Sequence, residues 1–519
     1  MTGSPTSSSG IRAATSEPDA AGGGRATPTR RTMLRGGFVL TMGSLITAIA
    51  SFARNIIIAR LISVEDFGIA ATLAMTMSLI EMASNLALDR LLVQAPDGDT
   101  PQMLATAHAF QVVRGVLATV VLFLLAGPIA ALFGIPEIVW AFRVMALVPL
   151  IRSFLHLDSA CQQRGMNFGA SVWIDTVPQA LATLAAAPLA LWLGDYRVML
   201  LVVVGQVTMM VLVSHVVAER PYRWAWDREI IGRMLRFGWP LLINGLLMFA
   251  IFQGDKAIVG ASFSMEDLGW YTVAFALAMV PCTVIARIVY SFFMPLLSAV
   301  QGDASRFQQR ATLCAQCCML LGALVSIGFL VAGPSVLLLV YGERYGPGTT
   351  VVGILGMMHG FRIAKAGPAI VAMSQADTTS PLIANIVRCC SVIMAIAFVW
   401  LDCGIVAIAI CGVFGELLAA LVGIGLLRYR LSLRITPMLG CFAVTSVAML
   451  LIAVSAGYTF RGEQPWFEVS VGMISAISAT GLLSLMFPEV VALVARARAA
   501  ASGTLTVSSE SPPKEGDVI

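Results

Sequence analysis

Charge is what this chain has least of. Of its 519 residues only 12% are Asp, Glu, Lys or Arg, against roughly 25% in a soluble globular domain. With 58% hydrophobic residues and a mean hydropathy of +0.86, there are too few polar groups to clothe a soluble surface, and most of the chain belongs in lipid. Histidine is scarcer still: His108, His156, His215 and His359 are scattered and give no basis for an enzyme. The ten cysteines include Cys314-x-x-Cys317-Cys318 and Cys389-Cys390, but no second pair has zinc-type spacing. All lie in or at the ends of apolar stretches, where a thiol behaves as a small hydrophobe, so neither a metal nor another cofactor is expected. A G-x-x-x-x-G-K-[ST] phosphate loop is also missing. Energy for any work done must then come from a gradient or from consumption of a product.

What is present is a succession of apolar stretches of the roughly 20 residues that cross a bilayer. They fall at about 38–62, 69–94, 103–133, 138–160, 169–193 and 196–218, then 238–262, 271–300, 312–341, 349–374, 381–401 and 404–427, with two more near 437–457 and 468–487. The expected fold is all-α and polytopic, with about 14 transmembrane helices. Ser63-Val64-Glu65-Asp66-Phe67-Gly68 is echoed about two hundred residues later by Ser264-Met265-Glu266-Asp267-Leu268-Gly269, and Ala126-Gly127-Pro128 by Ala332-Gly333-Pro334. Two echoes in register indicate a duplicated half. An even number of spans per half makes the repeats parallel, so the expectation is two six-helix lobes around a central cavity plus two C-terminal helices, an architecture typical of transporters.

Arginine sets the orientation. Arg25, Arg30, Arg31 and Arg35, then Arg164, Arg220, Arg223, Arg228, Arg233, Arg236, Arg306, Arg310, Arg428, Arg430 and Arg434 fall in the tail and alternate loops, which are therefore cytoplasmic, with both termini inside and both Glu-Asp loops outside. Residues 1–37 are rich in Ser, Gly, Ala, Thr and Pro and are expected to be a disordered cytoplasmic tail rather than a cleaved signal. The remaining divisions are an N-terminal six-helix lobe (38–218), a basic, Trp-containing inter-lobe loop attracted to anionic lipid (219–236), a C-terminal six-helix lobe (237–427), two added helices (428–490) and a second disordered tail (491–519).

The rare charges inside the spans carry the functional information, because an ionisable group in hydrocarbon costs several kcal/mol unless it faces a cavity or a partner. Thr41, Ser44, Thr47, Ser51 and Arg54 recur every three or four residues and form one polar helical face. Asn244 and Asp255 share a face of the seventh span, beside Lys256. Arg54 and Lys256 are expected on cavity-facing sides of matching helices. Further cations lie at Arg114, Arg143, Arg152, Arg287, Arg362, Lys365 and Arg388, and acids at Glu81, Asp89, Asp158, Asp175 and Glu416. Cations outnumber acids, so pairing cannot neutralise them all, and an anionic cargo would. Arg54, Arg114, Lys256, Arg287, Arg362 and Lys365 are the candidate cavity cations, Ser44, Thr47, Ser51 and Asn244 the glycan-facing polar groups, and Asp255, Glu81 and Glu416 the ion-coupling candidates. For any one position the alternative is structural: Asp255 and Lys256 satisfying each other, or Arg143 snorkelling outward.

The run Phe52-Ala53-Arg54-Asn55-Ile56-Ile57-Ile58-Ala59-Arg60-Leu61-Ile62-Ser63-Val64-Glu65-Asp66-Phe67-Gly68, followed by Leu86-Ala87-Leu88-Asp89-Arg90-Leu91-Leu92-Val93-Gln94, resembles the opening of bacterial polysaccharide exporters of the PST/Wzx type, in the multidrug/oligosaccharidyl-lipid/polysaccharide exporter superfamily. Val64 stands where that family commonly has proline or another helix-breaking residue. The resemblance covers roughly residues 36–487, through span count and layout beyond the quoted run. It implies alternating access and flipping of a polyprenyl-diphosphate-linked oligosaccharide across the cell inner membrane, for O-antigen, exopolysaccharide or capsule. It implies as partners the lipid-linked oligosaccharide, membrane lipids and other polysaccharide-assembly proteins, with no nucleic acid. Two alternatives belong to other classes. A cation-coupled multidrug exporter of the same fold would have an interior dominated by acids and aromatics, and a membrane-embedded glycan polymerase or transferase would need catalytic residues on a large outer loop. Neither feature is evident in the sequence.

Overall fold

The computed structural model describes residues 30–84, 86–459 and 465–501, and every regular element among them is helical. The N-terminal half comprises α1 (Arg30–Leu61), α2 (Val64–Ser84), α3 (Leu88–Gln94), α4 (Pro101–Leu132), α5 (Val139–Met145), α6 (Leu147–Arg152), α7 (Asp158–Arg164), α8 (Gly169–Leu193) and α9 (Arg197–Val216). The C-terminal half comprises α10 (Arg228–Ser262), α11 (Met265–Ser298), α12 (Ala304–Tyr341), α13 (Thr349–Ser374), α14 (Thr379–Trp400) and α15 (Gly404–Leu431). Beyond it lie α16 (Thr436–Thr459), α17 (Pro465–Ser484) and α18 (Pro488–Ala501). Twelve helical stretches of the described residues are long and apolar enough to cross a membrane. Two of the fourteen expected spans fall outside that count: α13, made polar by His359, Arg362 and Lys365, and the fourth span, which is broken into α5, α6 and α7.

Three expected boundaries move. Helix α1 begins at Arg30, so residues 30–37 are helical rather than part of an unfolded tail; residues 1–29 lie outside the described residues. The expected second tail likewise starts as helix, because Pro488 suits a helical first turn and the alanine-rich run to Ala501 has high helix propensity. The inter-lobe loop is shorter than 219–236, since Asp227 caps α10 by accepting from the Glu229 and Ile230 amides at 2.9 and 3.2 Å. That loop docks on protein: Arg220 pairs with the buried Asp158 at 3.6 Å, while Trp224 and Trp226 remain exposed. Arg233, one turn into α10, grips Asp97 with both terminal nitrogens, at 2.6 and 3.2 Å, and this holds the Asp97 carboxyl below its ordinary pKa.

The repeated Ser-x-Glu-Asp-x-Gly phrase has a physical meaning. In each copy the serine caps a helix by accepting from the aspartate amide, at 3.0 Å for Asp66 and 3.1 Å for Asp267. The glycine one turn on then meets the other copy. A Cβ on Gly68 would lie 1.8 Å from the Met265 carbonyl oxygen, and one on Gly269 2.2 Å from the Val64 carbonyl oxygen. The two helix starts therefore cross backbone to backbone at the seam between halves. Arginines lock the same end: Arg60 donates to the carbonyls of Leu339 and Val340 at 2.5 and 2.7 Å, and Arg344 to those of Arg60 and Ile62 at 2.6 and 3.4 Å. Each arginine satisfies the C-terminal carbonyls of a helix in the opposite half. Tyr345 adds a 2.8 Å bond to the Ala59 carbonyl and an edge contact to Phe67. Toward its other end α2 also runs close to α10, where a Cβ on Gly245 would meet the Met82 carbonyl oxygen at 2.3 Å.

The broken fourth span is explained by proline and by histidine. Pro149 cannot donate to the Met145 carbonyl and its ring clashes there, at the junction of α5 and α6. Between α6 and α7 the backbone is irregular, and side chains take its polar groups. Leu157 N–H donates to His108 Nε2 at 3.2 Å, Asp158 N–H to His156 Nδ1 at 3.1 Å and His156 N–H to Ser214 Oγ at 3.0 Å, while Gln111 donates to the Ser153 and Leu155 carbonyls at 2.9 and 3.1 Å. His215 Nε2 lies 2.9 Å from the Phe154 carbonyl. Three histidines scattered in sequence thus serve one break and pack around Tyr222 of the inter-lobe loop, His108 stacked on its ring and His156 edge-on to it.

Gly68→Ala and Gly269→Ala should each separate the seam, lowering thermal stability by about 1–3 kcal/mol, the usual cost of overpacking, and should raise the labelling of a cysteine introduced at Glu65. An alanine variant as stable and as poorly labelled as the parent would mean that the two helix starts are not in contact. His108→Phe should cost about 1–3 kcal/mol by stranding the Leu157 amide. His108→Gln, which keeps an acceptor, should recover much of it in a melting assay.

Candidate functional site

The charged residues gather in two places, one in each half. In the C-terminal half the centre is Glu416 of α15, fully buried. Its Oε1 accepts from Arg362 Nε of α13 at 2.7 Å and Arg388 Nε of α14 at 3.1 Å, and its Oε2 pairs with Lys365 Nζ at 2.8 Å. Arg388, also fully buried, reaches Asp255 of α10 at 3.4 Å and bonds Ser391 Oγ. Lys256 Nζ sits 4.9 Å from the Phe275 ring centroid, and the Arg362 guanidinium 4.9 Å from that of Phe252. Lys365 also contacts Asn385 Oδ1 at 3.3 Å. Four cations thus surround two carboxylates, and Arg362 Nη2 is buried without a hydrogen-bond partner among the described residues. Glycines make room for this network: a Cβ on Gly412 would stand 3.3 Å from Asp255 Oδ2, and one on Gly415 2.6 Å from Ser391 Cβ.

In the N-terminal half a half-open cleft of about 460 Å³ is lined from α2, α3, α4, α6, α7, α8 and α9. Its charged groups are Glu81, Asp89, Arg114, Arg152 and Asp175, joined by Gln111 and Gln163. Glu81 pairs with Arg152, Arg114 donates to the Ser84 carbonyl at 3.0 Å, and Asp175 is exposed.

The polar stripe of α1 lies elsewhere. Thr47 Oγ1 stands 3.5 Å from Thr176 Oγ1 of α8, and Thr183 Oγ1 donates to the Ala50 carbonyl at 3.0 Å. Arg54 Nη1 donates to Gln206 Oε1 of α9 at 2.5 Å, and Gln206 continues to Gln179 at 3.0 Å. The stripe faces polar groups of its own half, so Arg54 and Lys256 do not meet across a cavity: one turns toward α9, the other toward Phe275. Ser44 and Ser51 are half-buried on the same helix, and Asn244 is exposed on α10. Arg287 on α11 is exposed and makes no hydrogen bond or ion pair among the described residues. Of the ion-coupling candidates, Asp255, Glu81 and Glu416 are all in ion pairs with arginine. Sequence reasoning left Gln179 and Gln206 aside because uncharged amides in an apolar span draw no notice, and it missed the role of Arg388 as the bridge between the two buried acids.

Two packed halves of membrane-spanning helices with polar groups turned inward make a polytopic helical fold of transporter type. Among solved structures the chain is similar to the lipid II flippase MurJ in an inward closed conformation, with a TM-score of 0.67, 12% identity and coverage of 87% of this chain and 98% of that one. An inward-facing multidrug resistance MATE family transporter of the MOP superfamily gives a TM-score of 0.61 at 16% identity, covering 76% of this chain and 98% of that one. These likenesses establish the fold. The sequence profile of a polysaccharide biosynthesis protein family matches residues 57–349, and the chain belongs to that family. A curated relative, the succinoglycan biosynthesis transport protein ExoT of Rhizobium meliloti (strain 1021), is 24% identical over 308 residues, 59% of this chain and 61% of that protein. The chain therefore spans less than two thirds of that relative's length. The profile match ends before Arg362, Lys365, Arg388 and Glu416.

Removing the central carboxylate should be costly. Glu416→Gln would leave Arg362, Lys365 and Arg388 without their shared counter-charge, and the expected loss is about 3–5 kcal/mol, read as a lowered melting temperature in detergent. Adding Arg388→Met should return part of that loss; a double variant less stable than Glu416→Gln would show that Arg388 is held independently of Glu416.

Proposed function

We propose that this protein flips a polyprenyl-diphosphate-linked oligosaccharide from the inner to the outer leaflet of the cytoplasmic membrane by alternating access, for assembly of a surface polysaccharide. The observation that carries the proposal is the surplus of cations over carboxylates in the buried C-terminal network, with Arg362 Nη2 left without a partner. A buried excess of positive charge is unfavourable until an anion joins it. A diphosphate offers several acceptor oxygens and suits the planar guanidinium. Family membership and the name of the succinoglycan relative support glycan as the cargo class. Arg287, exposed and without a protein partner, is a second contact for the same anion.

Glu416 then holds Arg362, Lys365 and Arg388 in place and is not itself the ion carrier. The crossing of Gly68 with Gly269 and the locking by Arg60 and Arg344 close the end bearing the Glu-Asp loops, which is the outer end if the arginine-rich loops are cytoplasmic. The described conformation is in that case the one that receives cargo from inside.

Arg287→Ala, Arg362→Ala and Lys365→Ala, each expressed and inserted at the parent level, should slow flipping about tenfold, the effect of losing about 1.4 kcal/mol of a charge-assisted bond. The measurement is accumulation of lipid-linked oligosaccharide on the cytoplasmic face. Arg362→Lys should restore part of the rate, since it keeps the charge and loses the fork. Normal export by all three alanine variants would rule out this cationic network as the diphosphate site.

A further inference from the structure

The N-terminal cleft has the opposite charge balance from the C-terminal network: Glu81, Asp89 and Asp175 against Arg114 and Arg152. Its volume of about 460 Å³ lies in the range of roughly 300–1,000 Å³ usual for small-molecule sites. It is also where the chain abandons regular helix. Pro149, Arg152, Leu155, Leu157 and Ser159, on either side of the break between α6 and α7, all line it. Irregular backbone within a membrane is tolerated where it borders a polar cavity, and interrupted helices mark binding sites in transporters.

Resting on the function proposed above, we infer that this cleft is the glycan subsite of the cargo, and that the sugars it holds next to the diphosphate carry no carboxylate. Sugar hydroxyls are donors and acceptors at once, and are matched by carboxylates and amides lining one surface. Asp175, exposed in the cleft and in no ion pair, and Gln163 supply such groups, while Glu81 and Arg152 hold each other. An acidic sugar would bring a further negative charge beside three carboxylates.

The two subsites are on adjacent helices. Met82, next to Glu81, touches α10 at Gly245, and Phe252, which packs on the Arg362 guanidinium, is seven residues further along α10, or about 10 Å. That separation suits a diphosphate at one and the first sugars at the other. The cleft lies toward the Arg228 end of α10, the cytoplasmic end in this reading, from which a longer glycan can extend into water.

The test uses the full-length protein in cells making a lipid-linked oligosaccharide, with a photoreactive diazirine amino acid at Met210, which lines the cleft, or at Phe252. The cargo is labelled with tritium in its sugars and with phosphorus-32. After irradiation, mild acid hydrolyses the glycosyl phosphate bond: water replaces phosphate at the anomeric carbon, and the phosphate leaves. The Met210 adduct should keep its tritium and lose its phosphorus-32. If Phe252 is labelled but Met210 is not, or the Met210 adduct loses its tritium, the glycan lies elsewhere and the subsite is overturned while the proposed function stands. If neither position captures label in inserted, folded protein, the proposed function falls as well. As an independent arm, Asp175→Asn should raise flipping of a glycan with a uronic acid next to the diphosphate relative to that of a neutral one. Equal effects on both cargoes would overturn the charge selectivity.

Discussion

A polar group in hydrocarbon must find its partner within the protein, and most of this structure follows from that constraint. It acts on backbone and side chains alike. Where the fourth span breaks between α6 and α7, the freed amides and carbonyls are taken by His108, His156, Gln111 and Ser214. Where α1 and α12 end, their carbonyls are taken by arginines from the opposite half. Where α1 carries a polar stripe, α8 and α9 supply threonines and glutamines to meet it. Against that background the C-terminal network brings four cations to two carboxylates.

The same constraint shapes the seam between the halves. Under the proposed alternating access the helices would have to slide apart, and a glycine crossing gives close contact with little interdigitation. Arginine bonds to helix-end carbonyls are similarly local: they involve a single turn, and breaking them strands no carboxylate, since the carbonyls carry only partial charge. A closed end built this way holds firmly yet opens without unpacking either core.

Much of the fold was legible because it depends on length and period. Long apolar stretches announce spans, and a six-residue phrase repeated about two hundred residues later announces the duplicated half. The phrase did not reveal that its serine and aspartate cap a helix while its glycine meets the other copy, since that needs both copies in space. The candidate site was less legible. Periodicity placed Arg54 on a polar face, but a face has no stated neighbour, and the neighbour proved to be Gln206 of the same half. The interior charges were visible as a set; that Glu416 gathers three of the cations is a matter of three-dimensional packing among α13, α14 and α15. The histidines were read as isolated because sequence distance hid the break they share.

If the network is the diphosphate site proposed above, Glu416 also bears on how a tightly attracting site can release its cargo. Four such cations with no carboxylate would bind a diphosphate so strongly that transport would stall, and they would be prohibitively unstable when empty. Four cations neutralised by four carboxylates would not bind it at all. Two carboxylates leave a site that is stable enough to exist empty and still short of negative charge. Because Glu416 Oε1 already accepts from Arg362 Nε, the unpartnered Arg362 Nη2 is left for an arriving phosphate without displacing that bond. The guanidinium can therefore be shared between a permanent partner and a transient one, and release requires breaking only the transient half.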